Sequence, residues 1–124
     1  MLVLLDASIL MFMAGKPSKF LDDLQAQIGE TILAVPSPVL GELKGLSKIK
    51  GRRAREAALG LEYAQNLKSL DFDGDADTAL LQIAQEHDAL VATMDRELMR
   101  ELKVRHVKVA TVKDNHLILQ GAFF

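Results

Sequence analysis

Leu2-Val3-Leu4-Leu5-Asp6-Ala7-Ser8 runs four apolar residues straight into an acid. Unbroken aliphatic hydrophobicity, without polar alternation, reads as a short strand buried on both faces, as in a parallel sheet. A carboxylate directly after such a strand loses hydration unless something offsets the loss. Asp6 therefore has two readings. It caps a short helix beginning at Ser8, or it belongs to a functional group of acids at the sheet edge.

Outward from this stretch, the same pattern recurs. Residues 31–35, 69–72, 89–93 and 107–112 are short, mostly continuous apolar runs rich in Val and Leu. Helical patterns fall between them. Pro17 opens one that carries Phe20, Leu21, Leu24 and Ile28. Ser37-Pro38 is a helix start with serine as N-cap and proline in the first turn. A turn near Lys50-Gly51 precedes a long helix with Ala54, Ala57, Ala58, Leu61, Ala64 and Leu67 as its apolar stripe. Asp73-Gly74-Asp75 leads into a helix bearing Ala79, Leu80, Ile83 and Ala84, and the Asp95 helix runs to about residue 103. Alternation of this kind predicts an α/β fold: a three-layer α/β/α sandwich around a central parallel sheet of about five strands. The whole chain, 1–124, reads as one domain, with residues 120–124 an extra small strand or a contact arm. Right-handed crossovers put every strand-to-helix turn on one sheet edge, where ligands of such sheets bind.

The composition narrows the chemistry. With 124 residues and no cysteine, the chain has neither a disulfide framework nor a thiolate nucleophile nor a thiolate zinc site. The apolar N-terminus breaks at Asp6 with no basic residues before it, and no run reaches the length of a membrane span, so a cytoplasmic protein away from membranes is expected. Net charge is −2. Locally, however, Lys44, Lys48, Lys50, Arg52, Arg53 and Arg55 follow one another without an intervening acid, and patches rather than totals decide whether phosphate is attracted.

Asp6, Glu42, Asp77 and Asp95 each fall where a strand gives way to a helix. Glu42 lies about one turn into the helix begun near Pro38. Asp77 competes with Asp73 and Asp75 for the third position, because acids at a helix N-terminus also serve its dipole. Asp95 combines an N-cap position with the same edge, and the Thr93 hydroxyl lies within reach of an acid or a metal-bound water. Crowded carboxylates repel one another, and a divalent cation relieves that repulsion. His87, His106 and His116 lack metal-ligand spacing.

Three stretches make the chain resemble the PIN-domain nucleases. They are Leu5-Asp6-Ala7-Ser8, Gly41-Glu42-Leu43, and the segment from Asp75-Ala76-Asp77-Thr78-Ala79-Leu80-Leu81 to Val91-Ala92-Thr93-Met94-Asp95-Arg96-Glu97-Leu98. The last is the most specific, an acid-led helix followed by a strand ending Thr-x-Asp-x-x-Leu. The likeness runs from Leu2 to about Val112, and its closing part looks most like the small stand-alone toxin-type and ribosomal-RNA-processing branches. Ala7, Thr78 and Met94 depart from the family pattern without touching the four acids.

The resemblance implies a Mg²⁺- or Mn²⁺-dependent endoribonuclease acting on single-stranded RNA. Asp6, Asp77 and Asp95 are then metal ligands, direct or through water, with Glu42 a fourth ligand or the group that orients water. Ser8, Thr93, Lys44, Arg52 and Arg53 are the candidates for substrate contact. Implied partners are RNA and an antitoxin or an RNA-processing partner, and a homodimer is a further expectation. Two other classes compete. A non-catalytic PIN-like binding module would keep the pocket without using it. A signalling receiver domain also places an acid after its first strand, but Leu5 stands where receivers carry a second acid; the Asp-x-Asp of haloacid-dehalogenase-like phosphatases fails at Ser8.

Overall fold

The structure, a computed structural model, describes residues 1–121, with Ser18 described by its backbone alone. In chain order the elements are β1 (Leu2–Leu5), α1 (Ala7–Phe12), α2 (Pro17–Ile28), β2 (Ile32–Pro36), α3 (Ser37–Ser47) and α4 (Arg52–Ala64). They continue with β3 (Lys68–Leu70), α5 (Ala76–His87), β4 (Leu90–Ala92), α6 (Arg96–Val104), β5 (Lys108–Lys113) and β6 (His116–Gln120).

The expected three-layer α/β architecture is present, built on one sheet ordered β3-β2-β1-β4-β5-β6. β1 lies inside it because nothing in Val3, Leu4 or Leu5 tolerates water; all three are fully buried. The chain leaves β1 toward β2 and β3, then returns through α5 to β4 on the other flank of β1. Right-handed crossovers in opposite directions put helices on both faces and leave a crevice outside the carboxyl ends of β1 and β4. Asp6 follows β1 and Thr93 follows β4, so both stand at that switch point. The core joins the strand interiors to Ile9, Leu24, Leu43, Leu80 and Leu102.

Among the described residues the sheet has six strands, five of them parallel as expected and the sixth antiparallel to β5. Asp114 and Asn115 make the two-residue turn between Lys113 and His116, with φ of 52° and 62°. Two successive left-handed residues match the twist of a tight hairpin, and Asp and Asn accept that conformation at little cost. An extra strand thus lies at 116–120; the strand or contact arm expected at 120–124 falls largely on residues 122–124, outside the described residues. Among the described residues, no helix is long and apolar enough to cross a membrane.

Two local details position the site. Ser37 was expected to cap α3; instead Pro36, in extended conformation, is the cap and Ser37 is already helical. Its hydroxyl accepts a hydrogen bond from the Phe72 amide at 3.0 Å and lies 3.3 Å from the Phe72 carbonyl oxygen. The start of α3 is thereby tied to the segment that leads into α5. On α4, Ala54, Ala57, Gly60 and Ala64 are buried. A Cβ at Gly60 would sit 3.2 Å from the Leu10 backbone, so a glycine there lets α4 press directly on α1.

Candidate active site

Asp6 is the best-held acid in the chain, only 6% exposed. It caps α1, accepting the Ala7 amide on Oδ1 at 2.8 Å, so the short helix and the sheet-edge position are one feature. Its Oδ2 receives two hydroxyls, Ser8 at 2.8 Å and Thr93 at 2.7 Å. Ser8 Oγ in turn accepts the Met94 amide at 2.9 Å, and Thr93 Oγ1 accepts the Asp95 amide at 3.0 Å. Each hydroxyl has one proton, and both protons point at Asp6. The 3.1 Å approach between the two hydroxyl oxygens is therefore a contact imposed by a shared acceptor. With Oδ1 held by the Ala7 amide and Oδ2 by two hydroxyls, this lattice fixes the Asp6 rotamer.

Asp95 caps α6, with Oδ1 accepting the amides of Glu97 at 2.9 Å and Leu98 at 3.2 Å. Its second oxygen is left for other work. Among Asp73, Asp75 and Asp77, the structure separates the roles. Asp75 is the N-cap of α5, its Oδ1 2.7 Å from the Thr78 amide. That backbone bond, supplemented by the Thr78 side chain, draws its carboxyl below the usual range. Asp77 lies in the first turn of α5 and behaves in the opposite way. Partial desolvation, then repulsion from Asp6, Asp95, Asp75 and Glu101, pushes its carboxyl up. Glu42 shares that fate, raised by desolvation and then by Asp6, Asp77, Asp75 and Asp95. Both residues are exposed to solvent, so the crowding around their carboxyl groups is partial.

The four acids expected to act together thus lie in one electrostatic neighbourhood, where Asp6 and Asp95 repel both Glu42 and Asp77. Glu42, Asp75, Asp77 and Glu101 line an open cleft of about 840 Å³, walled also by Pro38, Leu81, Leu98 and Arg105. Asp6 and Asp95 lie outside that lining.

The donor set is all oxygen, the chemistry that Mg²⁺ and Mn²⁺ prefer. Among the described residues, however, no three acids or histidines converge tightly enough to cage an ion directly. The residues fit a wet site, in which a cation keeps much of its own water and meets some carboxylates through it.

Other expected residues lie elsewhere. Ser8 and Thr93 face Asp6 rather than open space. Lys44, Arg52 and Arg53 are exposed on α3 and at the start of α4, outside the cleft lining. His87 ends α5, His106 sits in the α6–β5 turn and His116 begins β6. Glu101 and Arg105 carry no signal in the sequence, because they reach the cleft only through the placement of α6.

Comparison with known proteins agrees with this fold. The profile of the PIN-like domain matches residues 3–115. Ribonuclease VapC9 of Archaeoglobus fulgidus is 22% identical over 111 residues, covering 89% of this chain and 82% of that protein. The PIN domain endonuclease Utp24 superimposes with a TM-score of 0.71 at 21% identity, over 98% of this chain and 92% of that one. A domain of a functionally unknown protein from Methanocaldococcus jannaschii gives a TM-score of 0.69 at 11% identity, over 99% of both chains.

Proposed function

Because the chain belongs to the PIN-like domain family, we propose that it is a Mg²⁺- or Mn²⁺-dependent endoribonuclease hydrolysing phosphodiester bonds of single-stranded RNA. The observation that carries this reading is the mutual repulsion of Glu42, Asp77, Asp6 and Asp95 at the switch point of the sheet. A fold does not accumulate unneutralised acids at its ligand-binding edge for stability.

Asp6, Asp77 and Asp95 would hold a divalent cation, directly or through water, which when bound would supply positive charge for the phosphate and acidify water. Asp6 contributes a side chain fixed in place, because its rotamer is set by Ala7, Ser8 and Thr93. Asp95 is fixed through its bonds to Glu97 and Leu98. Glu42, whose carboxyl is pushed up by desolvation and by the neighbouring acids, is a further ligand or the group that orients the attacking water. Lys44, Arg52 and Arg53 draw the RNA backbone toward the cleft from outside it. The role is that of a toxin-type ribonuclease restrained by an antitoxin, or of an RNA-processing enzyme, working in the cytoplasm away from membranes; a homodimer is compatible with either.

A non-catalytic RNA- or protein-binding module is the second reading, favoured by the lack of a ready-made cage among the described acids. Incubation of single-stranded RNA with Mn²⁺ separates the two. Wild type should cut internally, while Asp6→Asn and Asp95→Asn should fold and lose at least about a hundredfold in rate, a barrier rise of roughly 2.7 kcal/mol. Equal cleavage by wild type and both variants would reject the assigned roles.

A further inference from the structure

The cleft lined by Glu42 and Asp77 runs along α6 to Arg105, the helix's C-cap residue. Arg105 contributes a positive charge to a wall that also carries Glu42, Asp75, Asp77 and Glu101. Glu101, one turn earlier on α6, is spaced to pair with it. The ion pairs among the described residues are nevertheless Lys19–Asp23 and Lys108–Asp88, so Arg105 has no carboxylate within 4.0 Å there. Its guanidinium also makes no hydrogen bond among those described.

An exposed arginine beside acids, yet not paired to them, keeps its charge for an anion that enters the cleft. From Asp95 at one end of α6 to Arg105 at the other, ten residues rise about 15 Å at about 1.5 Å each. Successive phosphates of a strand lie roughly 3.4 Å or more apart, so this distance spans a few nucleotides. We propose that Arg105 is a substrate-binding residue that holds a backbone phosphate of the RNA strand, a few nucleotides from the bond cleaved beside Asp95. The planar guanidinium suits a phosphate held by two parallel hydrogen bonds, which a lysine cannot reproduce. This proposal rests on the nuclease reading for the strand's identity and gives the cleft a direction: along α6, away from Asp6.

The test is fluorescence anisotropy of a labelled short single-stranded RNA on the full chain, with Ca²⁺ in place of Mg²⁺, over a series of salt concentrations. Arg105→Gln should weaken binding about tenfold, the loss of one charge-assisted phosphate contact. It should also reduce the slope of log affinity against log salt by about 0.7, one phosphate on a single strand. Arg105→Lys should keep most of the salt slope while losing part of the affinity. Thermal unfolding should be unchanged in both variants.

An unchanged affinity and slope in Arg105→Gln would overturn the proposal, as would a wild type that binds no single-stranded RNA. A drop in Tm with the slope intact would equally overturn it, by making Arg105 a structural partner of α6. Because binding is read without turnover, an Arg105 effect in a protein that cuts no RNA in Mn²⁺ would sink the nuclease reading and leave the contact standing.

Discussion

Thr93 Oγ1 lies 2.7 Å from Asp6 Oδ2, joining residues 87 positions apart across the ends of β4 and β1. Thr93 is fully buried, and its one proton is committed to a carboxylate while its lone pairs take the Asp95 amide. Two acids of the candidate site are thus positioned through one hydroxyl.

Thr93→Val keeps the shape and removes the donor. Asp6 then keeps Ser8 but loses a buried charge-assisted bond, and the Asp95 amide loses its acceptor. Urea unfolding should show a loss of about 1–3 kcal/mol, and RNA cleavage should fall with it. Thr93→Ser, which restores the hydroxyl, should recover most of both.

Asp75 and Asp77 stand two residues apart and should respond oppositely to removal. Asp75→Ala deletes the α5 cap and should lower Tm while leaving Mn²⁺ affinity close to wild type. Asp77→Asn relieves repulsion and should raise the Tm of the metal-free protein at neutral pH, while weakening Mn²⁺ binding measured by calorimetry. Matching behaviour of the two variants would show that the roles have been wrongly divided.

The raised carboxyls of Glu42 and Asp77 set the sign of a pH effect in metal-free protein. Between the ordinary carboxylate pKa, about 4, and the raised folded values, the folded state binds more protons than the unfolded chain. Stability from these two groups is therefore fully present below the ordinary value and is lost as pH rises through the folded ones. Asp75, drawn down, acts the other way: its contribution is present at higher pH and lost on acidification through its folded value. Denaturation profiles should show wild type losing stability with rising pH more steeply than Glu42→Gln, and added Mn²⁺ should flatten that difference.

Gly60→Ala gains helix propensity worth about 1 kcal/mol but sets a methyl 3.2 Å from the Leu10 backbone. Leu10 sits in the middle of the buried helix that Asp6 caps, so the strain is not released by a side-chain turn. Overpacking costs about 1–3 kcal/mol, and the net result should be a lower Tm. A higher Tm would mean that α1 and α4 separate freely.

The doubly buried strands were legible because Leu2–Leu5 and its counterparts carry no polar alternation, and the helices because their apolar residues recur every three or four positions. β6 was not, although Asp114-Asn115 between two apolar runs is hairpin chemistry; its weakly apolar HLILQ run lacks the doubly buried signature of the others. Asp6, Glu42, Asp77 and Asp95 were visible as acids at strand ends. Which of Asp73, Asp75 and Asp77 caps α5 was not, since each is acidic and only the backbone decides which oxygen meets the Thr78 amide. The Ser8–Asp6 bond is local, but the commitment of Thr93 to Asp6 and of Ser8 to the Met94 amide depends on β1 and β4 being neighbours, a relationship between segments some 85 residues apart. Arg105 was invisible for the same reason.

The order β3-β2-β1-β4-β5-β6 divides the chain as well as the sheet. A break at exposed Gly74 would leave β1, β2 and β3 with Asp6 and Glu42 on one fragment, and β4, β5 and β6 with Asp77 and Asp95 on the other. Each fragment then carries two of the four candidate acids, and the Thr93–Asp6 bond crosses the seam. The candidate site is thus assembled only where the two halves of the chain meet, so cutting the chain at Gly74 would divide the site along with the sheet.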